Sequence, residues 1–84
     1  IRGLQLKGMV NQVSDSHVSL LVYGMFNASL SARDLANHYT FDQENSTWES
    51  NEKGDIHVND YIDITIHSFQ QAHGVLNLNC VLSA

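Results

Sequence analysis

Eighty-four residues suffice for one domain with a modest core, and nine acids against four bases leave a net charge of −5. That balance excludes a strong autonomous nucleic-acid binder built on a basic groove, because phosphate contacts supply most of such affinity. There is no proline, no apolar run near the roughly 18 residues of a membrane span, and no basic, apolar leader, so no membrane role is expected. The chain begins on Ile1 rather than Met, as expected of a piece of a longer protein. Its one thiol, Cys80, cannot form an internal disulfide, so a small buried apolar residue in a reducing compartment is expected there.

In chain order, "LQLKGMVNQV" (4–13) alternates apolar and polar residues, which predicts a strand with Leu4, Leu6, Gly8 and Val10 on one face. Gly8 in its middle predicts a bulge or sharp bend. "SDS" (14–16) is turn chemistry. Val18, Leu20 and Val22 alternate with Ser19, Leu21 and Tyr23 in a second strand. Tyr23-Gly24 turns or bends the chain, and Phe26, Ala28 and Leu30 mark a short third strand.

Residues 33–59 carry six of the nine acids against two of the four bases. "SARDLANHY" predicts a short helix with Ser31 as N-cap. "DQENSTWESNEKGD" predicts a loop-like acidic connection, flexible in character, anchored only by Trp48. Clean alternation returns in "DYIDITIHSF", with Ile62, Ile64 and Ile66 on one face. "QQAHG" predicts a turn, and "VLNLNCVLS" follows with Leu76, Leu78, Cys80 and Leu82 inward.

Five strands in the order β-β-β, helical linker, β-β predict an all-β, five-stranded OB-fold Greek-key barrel. The short helix or irregular acidic segment lies between its third and fourth strands. Closure would remove the exposed edges that five alternating strands create. An open five-stranded sheet under a helix is the alternative.

Few constellations carry chemistry. His17, His38, His57, His67 and His73 lack metal-ligand spacing; His67 and His73 flank a turn but have no third ligand. Ser16-His17 is an adjacency, not a triad, so neither a catalytic residue nor a cofactor is expected. Asn27-Ala28-Ser29 and Asn45-Ser46-Thr47 are glycosylation sequons by pattern, but Asn27 falls in a predicted strand and nothing signals secretion. An OB barrel offers the face of its second and third strands and two flanking loops, here 14–17 and 68–74. Lys7, Tyr23, Asn27, Ser29, Phe69 and His73 are therefore the RNA-contact candidates, with Tyr23, Phe69 and His73 as stacking groups. Each also has a plainer role open to it: Tyr23 covering a barrel end, Phe69 plugging its mouth, His73 solvated in a turn.

The stretch "GMVNQVSDSHVSLLVYGMFNASLS" (8–31) resembles the OB domains of the larger stalk subunits of RNA polymerase I. These are relatives of the S1-like stalk subunits of RNA polymerases II and III and of the archaeal enzyme. Ser16-His17, Gly24 and Phe26-Asn27-Ala28-Ser29 are the distinctive part. "KGDIHVNDYIDITIHSF" (53–69) and "GVLNLNCVLS" (74–83) continue the likeness more loosely, and 36–52 lies outside it. The resemblance implies the C-terminal OB part of a two-domain subunit, non-catalytic and located in the nucleus and nucleolus. It implies pairing with the smaller stalk subunit, contact with the polymerase I initiation factor, and weak contact with nascent single-stranded RNA. It marks His17, Gly24, Phe26 and Asn27 as mainly fold-specifying. Asp42, Glu44, Trp48 and Glu49, in the acidic segment, are the candidates for facing a protein partner. A free-standing S1-like RNA-binding protein of translation or RNA decay is the alternative.

Overall fold

The computed structural model describes residues 1–84. The elements are β1 (Gln5–Val13), β2 (His17–Val22), β3 (Phe26–Ser31), α1 (Ala32–Leu35), β4 (Thr40–Asp42), β5 (Thr47–Glu49), β6 (Tyr61–Ala72) and β7 (Val75–Leu82). Five of the strands close a barrel in the order β1-β2-β3-β7-β6, with β1 pairing back onto β6. β3 and β7 run parallel, from Asn27 opposite Asn77 to Leu30 opposite Cys80; the other barrel pairs are antiparallel. This is the expected OB-fold, and the open-sheet alternative falls with closure of the barrel.

The period-two patterns fill the interior. Val10, Val18, Leu20, Val22, Ala28, Leu30, Ile64, Ile66, Leu78 and Cys80 all point inward and are buried. Gly8 is inward as well, but it is not the bulge. A Cβ there would sit 3.0 Å from Leu20 Cδ2 and 3.2 Å from Ile64 Cδ1, so the glycine admits close packing across the barrel. The register slips instead between Val10 and Gln12, leaving Asn11 unpaired against β2.

At the end of the barrel where β1 turns into β2, α1 closes the opening with Leu35 fully buried. Ser31 caps it as expected, its Oγ accepting from the Asp34 N–H at 3.2 Å. Asp34 in turn accepts from the Leu82 N–H at 2.8 Å, tying the helix to the end of β7.

The acidic connection is not a loop. Its centre is a second small sheet, β4 against β5, joined to Ile56 by a bridge from Trp48. Trp48 is the large apolar anchor of 42–55, as expected, and it shares one core with Leu35 and Ile56 from the flanking residues, with Tyr39 and Phe41 packed against that core. The final turn is shorter than "QQAHG": β6 runs on to Ala72, and only His73 and Gly74 turn, both left-handed at φ 53° and 77°.

Candidate functional site

The outer face of β2 and β3 is continuous with that of β7. Inward burial of Val18, Leu20, Ala28, Leu30, Leu78 and Cys80 forces their strand neighbours outward. Register then assembles two rows. One runs Gln12, Ser19, Ser29, Asn79 and Ser68; the other runs Leu21, Asn27, Asn77 and Gln70. A shallow depression of about 520 Å³ lies on this wall, lined in part by His17, Ser19, Asn27, Ser29 and Asn77. Its polar groups are carboxamides, hydroxyls and one imidazole, which both donate and accept hydrogen bonds without carrying fixed charge. Asn79 Nδ2 donates to Ser68 Oγ at 3.1 Å and Ser16 Oγ lies 2.9 Å from His17 Nδ1, which leaves the Gln12, Ser19, Asn27, Ser29 and Asn77 side chains open to a ligand.

The candidates for RNA contact divide among three places. Asn27 and Ser29 lie together on this wall. Lys7 and Tyr23 lie instead on a separate open groove of about 800 Å³, shared with Tyr39, Asp60, Tyr61 and Asp63. There Lys7 Nζ is 2.8 Å from Asp63 Oδ1, so its charge is already countered. Tyr23 is 76% exposed and left-handed (φ 57°); with Gly24 (φ 65°) it forms a turn closed by the Met25 N–H donating to the Val22 carbonyl at 3.0 Å. A bulky residue in that conformation is strained, and such strain concentrates at functional positions. Partial burial pushes the Tyr39 phenol above its ordinary pKa. Phe69 and His73 form the third place, on the β6–β7 hairpin, which projects at the end where β2 turns into β3.

Loop 14–16 and the tip at 73–74 therefore flank the wall from opposite ends. Loop 14–16 is tightly built: Ser14 N–H and Oγ both bond the His17 carbonyl, and Ser16 Oγ is 2.9 Å from His17 Nδ1. The remaining family positions are a left-handed Gly24, a half-buried Phe26 packed on the core, and an outward Asn27.

The acidic candidates divide too. Trp48 is only 4% exposed and is turned into the core, so its ring is not available to a partner. Its ring centroid is 5.1 Å from that of Phe41. Asp42 caps the β4–β5 turn, accepting from Asn45 Nδ2 at 2.7 Å and from the Glu44 N–H at 3.0 Å. The Asn45 bond leads in holding Asp42 below the usual carboxylate pKa. Glu44 and Glu49 stay on the surface. Desolvation, then the Asp42 and Asp55 carboxylates, push Glu49 upward. This end of the molecule is crowded with negative charge.

The chain contained one signal of the wall that strand-by-strand patterning missed. No Asp, Glu, Lys or Arg occurs in residues 16–32 or 64–84. These are the stretches that β2, β3, β7 and most of β6 occupy, so the charged residues fall on β1 and its flanks, the start of β6 and the acidic segment.

Comparison with known proteins agrees with this architecture. Residues 1–65 match the family described as the RPA43 OB domain in RNA Pol I. The chain is similar to the DNA-directed RNA polymerase I subunit rpa43 of Schizosaccharomyces pombe (strain 972 / ATCC 24843), with 27% identity over 79 residues. That alignment covers 88% of this chain and 46% of the fission-yeast protein, so the chain spans about half the length of this relative.

Proposed function

The chain belongs to the family of RPA43 OB domains of RNA polymerase I, and from that premise we propose that it serves as a non-catalytic stalk module in ribosomal RNA synthesis. On this reading it acts in the nucleolus beside other polymerase I subunits. It guides nascent single-stranded RNA weakly and contacts the smaller stalk subunit and the initiation factor.

The observation that carries the reading is the uncharged wall of Gln12, Ser19, Asn27, Ser29, Asn77 and Asn79, flanked by the two barrel-end loops. Such a surface engages base edges through neutral hydrogen bonds but gains little from phosphates. It suits RNA delivered by a larger machine better than RNA captured from solution. Binding of single-stranded RNA to the 84-residue chain should therefore be weak, with a log–log salt slope of magnitude about 1 or less. A steep slope, reporting several phosphate contacts, would overturn it. Purification through the tagged protein should recover polymerase I subunits. Ribosomes or nucleases without polymerase would favour a free-standing RNA-binding protein instead.

Protein contact through the acidic end is supported by a different observation. Asp42, Glu49 and Asp55 lie close enough that their charges oppose one another, and a basic partner surface would relieve this. Glu44→Gln with Glu49→Gln should weaken recovery of the initiation factor or the smaller stalk subunit while leaving the barrel folded. Unchanged recovery of both would remove this contact from the proposal.

A further inference from the structure

β6 and β7 outrun the rest of the barrel. β1 pairs with β6 through Gln5–Met9, and the last bonds on that side are Gly3 N–H to the Ile66 carbonyl and Ile66 N–H to the Leu4 carbonyl. Beyond a register slip between Ile66 and Ser68, residues 68–72 pair only with β7. The stretch from Ile1 to Leu4 does not follow this edge. A turn at Ile1–Leu4, with Gly3 at φ 89° and Leu4 N–H bonded to the Ile1 carbonyl, leads it off.

The pairing shows which backbone groups are left over. A two-residue hairpin closes on a hydrogen-bonded pair, here Ala72 opposite Val75. Alternation then makes Gln70 opposite Asn77 the next bonded pair and turns the N–H and C=O of Phe69 and Gln71 outward. The side chains of Phe69 and Gln71 lie on the inner face with Leu76 and Leu78. The Phe69 ring is 53% exposed there.

Natural sheet edges are defended by charged residues, proline or cover. Residues 68–72, "SFQQA", have no charge and no proline, and the structure lays nothing over them. A two-stranded ribbon is marginal alone and gains from a third strand. The geometry points to strand addition: an extended segment of a neighbouring polypeptide in the polymerase pairs with Phe69 and Gln71 and sets an apolar side chain against the Phe69 ring. The absence of charge selects an apolar, alternating segment, and the net charge of −5 favours one with neutral or basic flanks. The same net charge disfavours a second copy of this chain, since two copies repel. Nucleic acid has no strand backbone to offer these groups. The inference rests on membership in the polymerase and goes beyond it.

Residue-resolved deuterium exchange tests it. In the free 84-residue chain the amides of Phe69 and Gln71 should exchange openly, while those of Gln70 and Ala72 are protected. In polymerase purified with this subunit, the Phe69 and Gln71 amides should slow by about tenfold or more. Gln71→Pro deletes one outward N–H and leaves the β6–β7 bonds, so it should reduce recovery of the neighbouring subunit several-fold. Should the proline lower the thermal midpoint of the free chain, Gln71→Lys charges the same edge and should have the same effect. Unchanged amide exchange on assembly, or full recovery with a folded variant, overturns the proposal. Protection arising instead from a dimer of the free chain assigns the edge to a second copy and also overturns it. Failure of the chain to enter polymerase at all sinks the stalk reading with it; entry with Phe69 and Gln71 still exchanging sinks strand addition alone.

Discussion

The indole N–H of Trp48 donates to the backbone carbonyl of Ser14 at 2.8 Å, so the acidic hairpin and the first barrel turn hold each other in place. Trp48→Phe keeps most of the packing and loses the bond, and should cost about 1 kcal/mol. Trp48→Ala also opens a cavity and should cost about 3–5 kcal/mol, a large share of what a domain this small possesses. Urea titrations of both variants check this. A loss under about 1 kcal/mol for the alanine would mean that the hairpin is not part of the cooperative unit.

Gly8 is fixed by its neighbours rather than by its backbone angle. Gly8→Ala brings a methyl to 3.0 Å from Leu20 Cδ2 and 3.1 Å from Leu20 Cβ, and should destabilise by about 1–3 kcal/mol. Combined with Leu20→Ala, the alanine at position 8 should cost clearly less than it does alone. A double-mutant cycle by thermal or urea unfolding measures that coupling; strict additivity would refute the steric account.

Tyr23 is exposed and left-handed, an arrangement asparagine adopts more readily. Tyr23→Asn should therefore raise stability by about 0.5–1 kcal/mol, read from the urea midpoint at constant slope. A loss of stability would mean that the ring makes a packing contribution its exposure hides.

Burial pushes the Cys80 thiol above its ordinary pKa, which keeps it neutral and unreactive in the native barrel. Alkylation at pH 8 should be slow in buffer and fast in denaturant. The linkage has a definite sign. The folded pKa lies above the unfolded value, so the contribution is complete below the unfolded thiol pKa of about 8.5 and fades as pH rises through the folded value. Cys80→Ser should flatten the alkaline side of the stability profile; an unchanged profile would leave the thiol without a part in it.

Much of the barrel was legible because its residues alternate without interruption. Ile64 and Ile66 face Leu82 and Cys80 across one ladder, and a single period identifies both strands. The acidic segment resisted for a physical reason. β4 and β5 have three residues each, too few to display a period, and their cohesion comes from Asp42 capping a turn and from Trp48 reaching Ser14, 34 positions away. Gly8 and Asn11 exchanged expectations similarly: glycine is the usual sign of a bulge, but the close approach of Leu20 and Ile64 required it for packing. On the candidate surface, Asn27 and Ser29 were placed together by alternation. Lys7, early in β1, and Tyr23, in the β2–β3 turn, fell on the other groove because a linear pattern does not encode where each strand end lies around a closed barrel.

The barrel's seam, where β3 meets β7, joins Asn27 to Asn77. A ribosome making this protein releases β1, β2 and β3 well before the strand that must seal them. Until β7 emerges, β3 has a bare edge and Leu30 has no Cys80 to meet. Closure of the barrel thus waits on the last of its strands, and until then the apolar residues of β3 that face β7 lack their partners.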